Sequence, residues 1–147
     1  MTSKLSKYMG IADAVSKLSK DASTQVGAVI IGQTNEVRSV GYNGSPRGCS
    51  ADEDHRTESR PERYFWLSHA ELNAITNAAR IGTPLAGSSI IVTHFPCMDC
   101  ARAIVQAGIT KVVTKPVPPE FAERWKEHIS RAMQLFVECD VEVEIVA

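Results

Sequence analysis

Residues 89–114 read SIIVTHFPCMDCARAIVQAGITKVVT, and this stretch sets the fold class of the chain. Residues 89–95 have the apolar, β-branched composition of a buried strand, residues 97–107 have helical spacing and end at Gly108, and Lys111–Thr114 predicts a second strand. A strand, a helix and a strand in this order need a crossover connection, which favours parallel pairing and helices packed on the sheet. The stretch therefore predicts an α/β protein.

The same kinds of pattern continue on both sides of this stretch. Helical spacing of apolar residues predicts further helices over residues 5–18, 68–82 and 118–137. Alternating or continuous apolar runs predict strands over residues 26–31, 37–42 and 141–145, the first two joined by a hairpin. The resulting order, α-β-β-α-β-α-β-α-β, predicts a three-layer α/β/α sandwich around a five-strand mixed sheet. We expect residues 1–147 to form a single domain.

Two patterns near the C-terminus predict which side chains of the last helix and the last strand share a face. One face of the helix over residues 118–137 carries six apolar side chains, namely Phe121, Trp125, Ile129, Ala132, Met133 and Phe136. In the last strand, Val141, Val143 and Ile145 alternate with two glutamates, as in an outer strand with one buried face. Cys139, between them, is interpreted as a buried thiol.

The composition excludes several classes of protein. The 147 residues are 44% hydrophobic and 22% charged, which are globular values and exclude a disordered chain. The formal net charge of -1 disfavours a partner that is a nucleic-acid polymer. No apolar run approaches the roughly 20 residues that cross a bilayer, and the N-terminus lacks the pattern of a secretory signal. Without secretion, the four cysteines are expected to be reduced thiols or metal ligands, and the protein to be cytoplasmic.

One long segment lacks regular spacing. Residues 43–66 are highly charged and are interrupted by Gly44, Pro46, Gly48 and Pro61. Connections longer than about 12–15 residues are uncommon inside compact domains and are often binding loops or lids. The segment is interpreted as a lid or as a surface insertion.

Two short clusters, each at the start of a predicted helix, carry the chemistry: His69-Ala70-Glu71 and Pro96-Cys97-Met98-Asp99-Cys100. Thiols at positions i and i+3 lie on one face of a first helical turn, where backbone N–H groups also favour the thiolate. His69 adds a third ligand from the neighbouring helix start. Zinc accepts such mixed N and S ligands, and three protein ligands leave a fourth position for water. The clusters predict a Zn²⁺ site made of His69, Cys97 and Cys100.

Three other interpretations of the clusters remain open at this point. The Cys97–Cys100 pair has the spacing of a thioredoxin-like redox pair, but this interpretation assigns no function to His69 or Glu71. Ser68 and Glu71 have the spacing of a capping box, in which Glu71 only ties back the helix N-terminus. A closed structural zinc site needs a fourth ligand, for which the candidates are Cys49, His55 and His94.

The combination of His-x-Glu with Pro-Cys-x-x-Cys is the known signature of zinc nucleobase deaminases. At these residues the chain resembles the cytidine/deoxycytidylate deaminase superfamily, and most closely the deoxycytidylate (dCMP) deaminases. The resemblance runs from about Ser19 to Val113. It is carried by Ser19-Lys20-Asp21, Val26-Gly27-Ala28, Gly41-Tyr42-Asn43-Gly44, Pro46-Arg47-Gly48-Cys49, His69-Ala70-Glu71-Leu72-Asn73-Ala74-Ile75 and Pro96-Cys97-Met98-Asp99-Cys100-Ala101.

The resemblance implies a reaction and a set of roles. The reaction is hydrolytic deamination of dCMP to dUMP and ammonia, which supplies thymidylate synthesis. Glu71 is then the base that takes a proton from water, passes it to ring N3 and assists the departure of ammonia. Asn43 and Ala70 contact the substrate, Asn43 at the sugar. The nearest candidates for the phosphate are Lys20, Ser23, Thr24 and Arg47.

The resemblance also implies a homo-oligomer, often a hexamer, regulated by dCTP and dTTP. Many relatives carry a tyrosine after the fourth strand that packs against the base, whereas residues 114–119 here read TKPVPP and the next aromatic residue is Phe121. The alternatives for function are deamination of another cytosine nucleotide or nucleoside (dCTP, cytidine or a modified dCMP), and a zinc-stabilised binding module without turnover.

Overall fold

The computed structural model describes residues 3–146 and contains a five-stranded sheet, which confirms the predicted architecture. In chain order the strands are β1 (Gly27–Ile31), β2 (Val37–Tyr42), β3 (Ser89–Val92), β4 (Lys111–Thr114) and β5 (Glu142–Ile145). Across the sheet they lie in the order β2-β1-β3-β4-β5. β1 pairs antiparallel with β2 and β3, whereas β3, β4 and β5 are parallel to one another, so the sheet is mixed.

Helices cover both faces of this sheet. They are α1 (Met9–Ser16), α2 (Arg63–Trp66), α3 (Ala70–Ile81), α4 (Met98–Gln106), α5 (Pro119–Ala122) and α6 (Lys126–Glu138), with short 3₁₀ helices at Lys4–Tyr8, Ala51–Glu53 and His55–Thr57. Within residues 3–146, no helix is long and apolar enough to span a membrane.

The two faces of the sheet build two separate cores. On one face, Val29 and Ile31 pack with Met9 and Ala12 of α1. On the other, Ala28 and Ile30 belong to a larger core that α3, α4 and α6 cover. β1 is buried along its whole length because its alternating side chains enter both cores, which explains why it is apolar at every position.

β2 holds α3 in place, and α3 carries part of the candidate site. The Ser39 hydroxyl donates to the carbonyl of Ala74 at 2.6 Å, and the Asn77 amide donates to the carbonyl of Val40 at 2.8 Å. Next to these contacts, Gly41 lets the helix backbone approach closely: a Cβ at Gly41 would lie 2.5 Å from the carbonyl oxygen of Ala70. The glycine is therefore required by the helix–strand distance and not by its own backbone angles.

The predicted helix over residues 118–137 is wrong as a single element. The structure has α5 and α6 separated by a turn at residues 123–125. Only the C-terminal half of the predicted apolar face enters the core, through Ala132 and Phe136. Phe121 and Trp125 instead line a cavity, so the regular helix extends only over the part that packs on the sheet.

The predicted burial of Cys139 is wrong, whereas the predicted outer position of the last strand is confirmed. Val141 is buried and Val143 packs on the core beneath α6, but Ile145 is 56% exposed. Val146 points to the opposite face and joins the core under α1. β5 is an edge strand with a neighbour on one side only, and α6 covers only its beginning. Cys139 lies at the C-terminal end of α6 and is exposed.

Candidate metal centre and active-site cavity

Two helix N-termini bring the three predicted metal ligands together. His69 is the N-cap residue of α3, in an extended conformation, and Cys97 is the N-cap residue of α4. Cys100 lies in the first turn of α4 and is buried. The crossover from β3 into α4 places Cys97 and Cys100 beside α3, so the ligands come from segments that are 28 or more residues apart.

The distances within this group fit a tetrahedral zinc ion. His69 Nδ1 lies 3.4 Å from Cys97 Sγ and 3.5 Å from Cys100 Sγ. Zn–S bonds of about 2.3 Å and Zn–N bonds of about 2.0–2.1 Å at a tetrahedral angle separate S from N by about 3.6 Å. The three ligand atoms all lie within 4.8 Å of one another. The donor set and its spacing therefore fit zinc.

The same contacts shift the pKa values of the three groups. The hydrogen bond with Cys100, followed by that with His69, lowers the pKa of Cys97 to about 4. The hydrogen bond with Cys97, followed by burial, raises the pKa of the Cys100 thiol. The hydrogen bond with Cys97 raises the pKa of His69 to about 9. The lowered pKa of Cys97, at the N-terminus of a helix, favours the thiolate form that a metal ion needs.

Glu71 lies in the first turn of α3 and is only 4% exposed. Burial raises the pKa of Glu71 to about 7, so this carboxyl group can both accept and release a proton near neutral pH. The capping-box alternative is wrong, because the N-cap residue is His69 and no side chain caps the helix. The backbone N–H of Ser68 donates instead to the carbonyl of Gly44 at 2.8 Å.

A closed structural zinc site needs a fourth protein ligand, and the described residues do not supply one. Across residues 3–146, no further His, Cys, Asp or Glu joins the His69, Cys97 and Cys100 group. His55 bonds Glu58 at 3.0 Å on the surface, and His94 bonds the hydroxyl of Thr93 at 3.2 Å. Cys49 lines a second cavity. The described residues therefore offer three ligands and leave a fourth position open.

One cavity contains His69, Glu71 and Cys97 in its wall and extends away from them between residues 60–64 and α5. Of the six predicted substrate-binding residues, four line it, namely Ser23, Thr24, Asn43 and Ala70. The other two, Lys20 and Arg47, line the neighbouring cavity, which shares Asp21, Ser23, Asn43 and Arg63 with the first.

Asn43 is buried between the two cavities and its side chain is already engaged. Its Oδ1 accepts from the backbone N–H of Val26 at 2.8 Å, and its Nδ2 donates to the carbonyl of Thr24 at 2.9 Å. An amide has two donors and a carbonyl oxygen with two lone pairs, so each end of Asn43 keeps one further position for a ligand. Asn43 therefore shapes the residue 20–26 loop as well as facing the cavity.

Several cavity residues were not predicted from the sequence. Residues 43–66, the predicted lid segment, contribute Arg60, Arg63 and Tyr64 to the wall. The opposite wall contains Phe121, Arg124, Trp125 and His128. The two prolines at 118–119 only begin α5, and residues 123–125 contain no proline or glycine, so the sequence had no signal for the break that follows Phe121.

Comparison with known proteins agrees with this geometry. Residues 2–115 match the family model described as "Cytidine and deoxycytidylate deaminase zinc-binding region". The "Uncharacterized deaminase in luxG 3'region" of Aliivibrio fischeri is 44% identical over 144 residues, 97% of this chain and 94% of that protein. The human deoxycytidylate deaminase is 41% identical over 110 residues, 72% of this chain and 61% of that protein. The chain thus spans about three fifths of the human enzyme.

The fold also matches a solved structure over its full length. The crystal structure of the dCMP deaminase from the cyanophage S-TIM5 in complex with dCMP and dUMP has a TM-score of 0.78 to this chain. The two are 28% identical, and the match covers 99% of each chain. The similarity therefore includes the C-terminal part that follows the family match.

Proposed function

The chain belongs to the cytidine and deoxycytidylate deaminase family, and from this premise we propose that it converts dCMP and water to dUMP and ammonia. The observation that carries the proposal is the buried carboxyl group of Glu71, which lies in the same cavity as the His69 and Cys97 metal ligands. The similarity to a dCMP deaminase over 99% of both chains supports the choice of a cytosine nucleotide.

Zinc is the cofactor of the family region that this chain matches. We assign His69, Cys97 and Cys100 as its ligands, because their mutual distances fit tetrahedral zinc. A zinc ion bound there supplies Lewis-acid chemistry and lowers the pKa of water at the open position. The helix N-termini that carry Cys97 and Cys100 support the thiolate forms that this binding needs.

Glu71 moves the protons of the proposed reaction. Its carboxylate takes a proton from the attacking water as the new bond to C4 of cytosine forms, and delivers that proton to ring N3. It then transfers the proton of the C4 hydroxyl group to the amino nitrogen, so that C4 becomes a carbonyl as the C4–N bond breaks and ammonia leaves. Because its pKa lies near 7, the group exchanges a proton at little cost in either direction.

The cavity walls orient the nucleotide in this proposal. Phe121 and Trp125 pack against the base and replace the tyrosine that relatives carry after the fourth strand. Asn43 and Ala70 contact the sugar and the base from the other side. Ser23 and Thr24 border the same cavity as Glu71, whereas Lys20 and Arg47 border the adjacent one.

The adjacent cavity is the proposed place for regulation. It lies in the Gly44–Cys49 loop region, contains Lys20 and Arg47, and shares Asn43 with the active-site cavity. We assign dCTP and dTTP as its candidate effectors and a homohexamer as the assembly. Light scattering of the purified protein, with and without dCTP, tests both assignments, and an unchanged monomer contradicts them.

The cytoplasmic location and the single catalytic domain also belong to the proposal. A metal site with two cysteine ligands needs reduced thiols, and reducing compartments keep thiols free. All four cysteines in the structure are unpaired, which is consistent with such a compartment.

A substrate panel tests the activity. The zinc-loaded protein is incubated with dCMP, deoxycytidine, dCTP and cytidine, and the loss of cytosine absorbance is measured together with ammonia release. We expect dCMP to have the highest kcat/KM. Preference for a triphosphate or a nucleoside moves the assignment to another cytosine substrate, and the absence of turnover with every compound supports a binding module instead.

A further inference from the structure

One tyrosine in the lid segment contacts two arginines. Tyr64 of α2 is half exposed, and its hydroxyl accepts a hydrogen bond from Arg124 at 2.9 Å. The guanidinium carbon of Arg60 lies 5.5 Å from the centroid of the same ring, within cation–π distance. Arg60, Tyr64 and Arg124 all line the cavity that contains His69 and Glu71.

These two arginines, Arg60 and Arg124, are exposed, and neither has an ion-pair partner within 4.0 Å among residues 3–146. The third arginine of the wall, Arg63, differs, because it pairs with Asp21 and donates to the Ser23 hydroxyl at 3.2 Å. In a chain of net charge -1, two unpaired arginines thus converge on one side chain at a cavity wall.

We propose that Arg60 and Arg124, held by Tyr64, bind the phosphate of the nucleotide substrate. The inference rests on the proposed function and identifies the group that distinguishes a nucleotide from a nucleoside. A guanidinium group donates two parallel hydrogen bonds to phosphate oxygens, and such charge-assisted bonds are about twice as strong as neutral ones. Tyr64 is a positioning residue, since it acts through the two arginines.

The same contacts connect two walls of the cavity. Arg60 and Tyr64 belong to residues 43–66, whereas Arg124 lies in the turn between α5 and α6. The Tyr64–Arg124 hydrogen bond already joins these segments. A phosphate bound by both arginines neutralises their mutual repulsion and strengthens this connection. It places the nucleotide between the lid segment and the wall that contains Phe121 and Trp125.

The test compares substrates that differ only in the phosphate. kcat/KM for dCMP and for deoxycytidine is measured for R60Q, R124Q, the double variant and Y64F. R80Q is the matched control, because Arg80 is an exposed arginine at the end of α3, outside the cavity. R47Q tests whether the adjacent cavity, which Arg47 lines, contributes to the recognition of the phosphate.

We expect each single arginine variant to lose about tenfold in kcat/KM for dCMP and the double variant to lose more, with deoxycytidine unchanged. Y64F keeps the ring and is expected to lose a few-fold for dCMP only. R80Q is expected to keep the preference for dCMP. The proposal is overturned if R60Q and R124Q keep the preference for dCMP over deoxycytidine. It is also overturned if kcat/KM falls equally for both substrates, or if R47Q alone abolishes the preference.

A binding measurement separates this proposal from the proposed function. Titration calorimetry compares dUMP with deoxyuridine on the zinc-loaded protein and on the double variant. If dCMP releases no ammonia, the proposed function fails, but tighter binding of dUMP that the double variant loses still supports the phosphate site. If dCMP is deaminated while the double variant still binds dUMP more tightly than deoxyuridine, the function stands and the arginine site is wrong.

Discussion

The side-chain oxygen of Asn43 accepts a hydrogen bond from the backbone N–H of Val26 at 2.8 Å. This contact joins the end of β2 to the residue that precedes β1, and a second bond from Asn43 to the carbonyl of Thr24 holds the residue 20–26 loop. Asn43 therefore has a structural role in addition to the proposed contact with the sugar, and the two roles can be measured separately.

Asn43→Ala is expected to lower both stability and dCMP turnover while zinc is retained. It leaves the N–H of Val26 without its partner, which costs about 1–3 kcal/mol in the free energy of unfolding. Urea unfolding, metal analysis and kcat/KM for dCMP are measured together. Asn77→Ala is the control, because Asn77 donates one similar bond to Val40 outside the cavity. Equal kcat/KM in wild type and Asn43→Ala contradicts the substrate contact.

Cys97→Ser is expected to lose zinc and activity together. Serine oxygen is a poorer zinc ligand than thiolate, and the remaining His69 and Cys100 do not complete the site. Zinc content per chain is measured by atomic emission after dialysis. Cys139→Ser changes an exposed thiol far from the ligands and should keep one zinc per chain. Full zinc occupancy in Cys97→Ser contradicts the ligand assignment.

Glu71→Gln is expected to keep zinc and to lose several orders of magnitude in kcat. A single acid–base group typically contributes about 10²–10⁴, and Glu71 is proposed to serve in more than one step. Zinc content and single-turnover rates with dCMP are the measurements. Turnover near that of the wild type would leave Glu71 without a catalytic role.

The Asp21–Arg63 contact predicts a pH dependence of stability. Burial alone raises the pKa of Asp21, but hydrogen bonds from Thr24 and Ser23, together with Arg63, lower it below its ordinary value of 3.8. A group whose pKa is lower in the folded state contributes stability above its unfolded pKa, and this contribution is lost as pH falls through the folded value.

We therefore expect Asp21→Asn to be less stable than the wild type at pH 7, and the difference to shrink as pH falls below about 4. Urea unfolding at a series of pH values measures it. Asp52→Asn is the control, since Asp52 has no arginine or lysine partner within 4.0 Å among residues 3–146. A difference that stays constant down to pH 3 contradicts the linkage.

Gly41→Ala is expected to reduce stability and to disturb the site through α3. The added methyl group meets the backbone of Ala70 and Ala74, and overpacking of this kind costs about 1–3 kcal/mol. Gly10→Ala is the matched control: nothing lies within 4 Å of a Cβ there, and alanine favours the helix. The prediction is wrong if the two variants have the same melting temperature.

Local patterns in the sequence were sufficient to predict the helices and strands, and to group the candidate site residues into two short motifs. The bounds of β2 and β4 agree with the predicted ones because each strand lies between turn residues. Cys97 and Cys100 lie on one helical turn by their spacing alone, and His69 and Glu71 belong to one short motif. The joint pattern also resembled a known family closely enough to predict zinc and the reaction.

The sequence by itself was enough to predict the α/β/α architecture, the parallel second half and the candidate metal-ligand group, because these depend on periodicity, element order and short motifs. Tertiary structure alone decided that Phe121 and Trp125 face a cavity, that Lys20 and Arg47 line a different one, and that Tyr64 meets Arg60 and Arg124. An apolar helical face looks the same in sequence whether a core or a ligand covers it. Contacts between residues as distant as Tyr64 and Arg124 depend on how whole segments pack, and no local spacing records that.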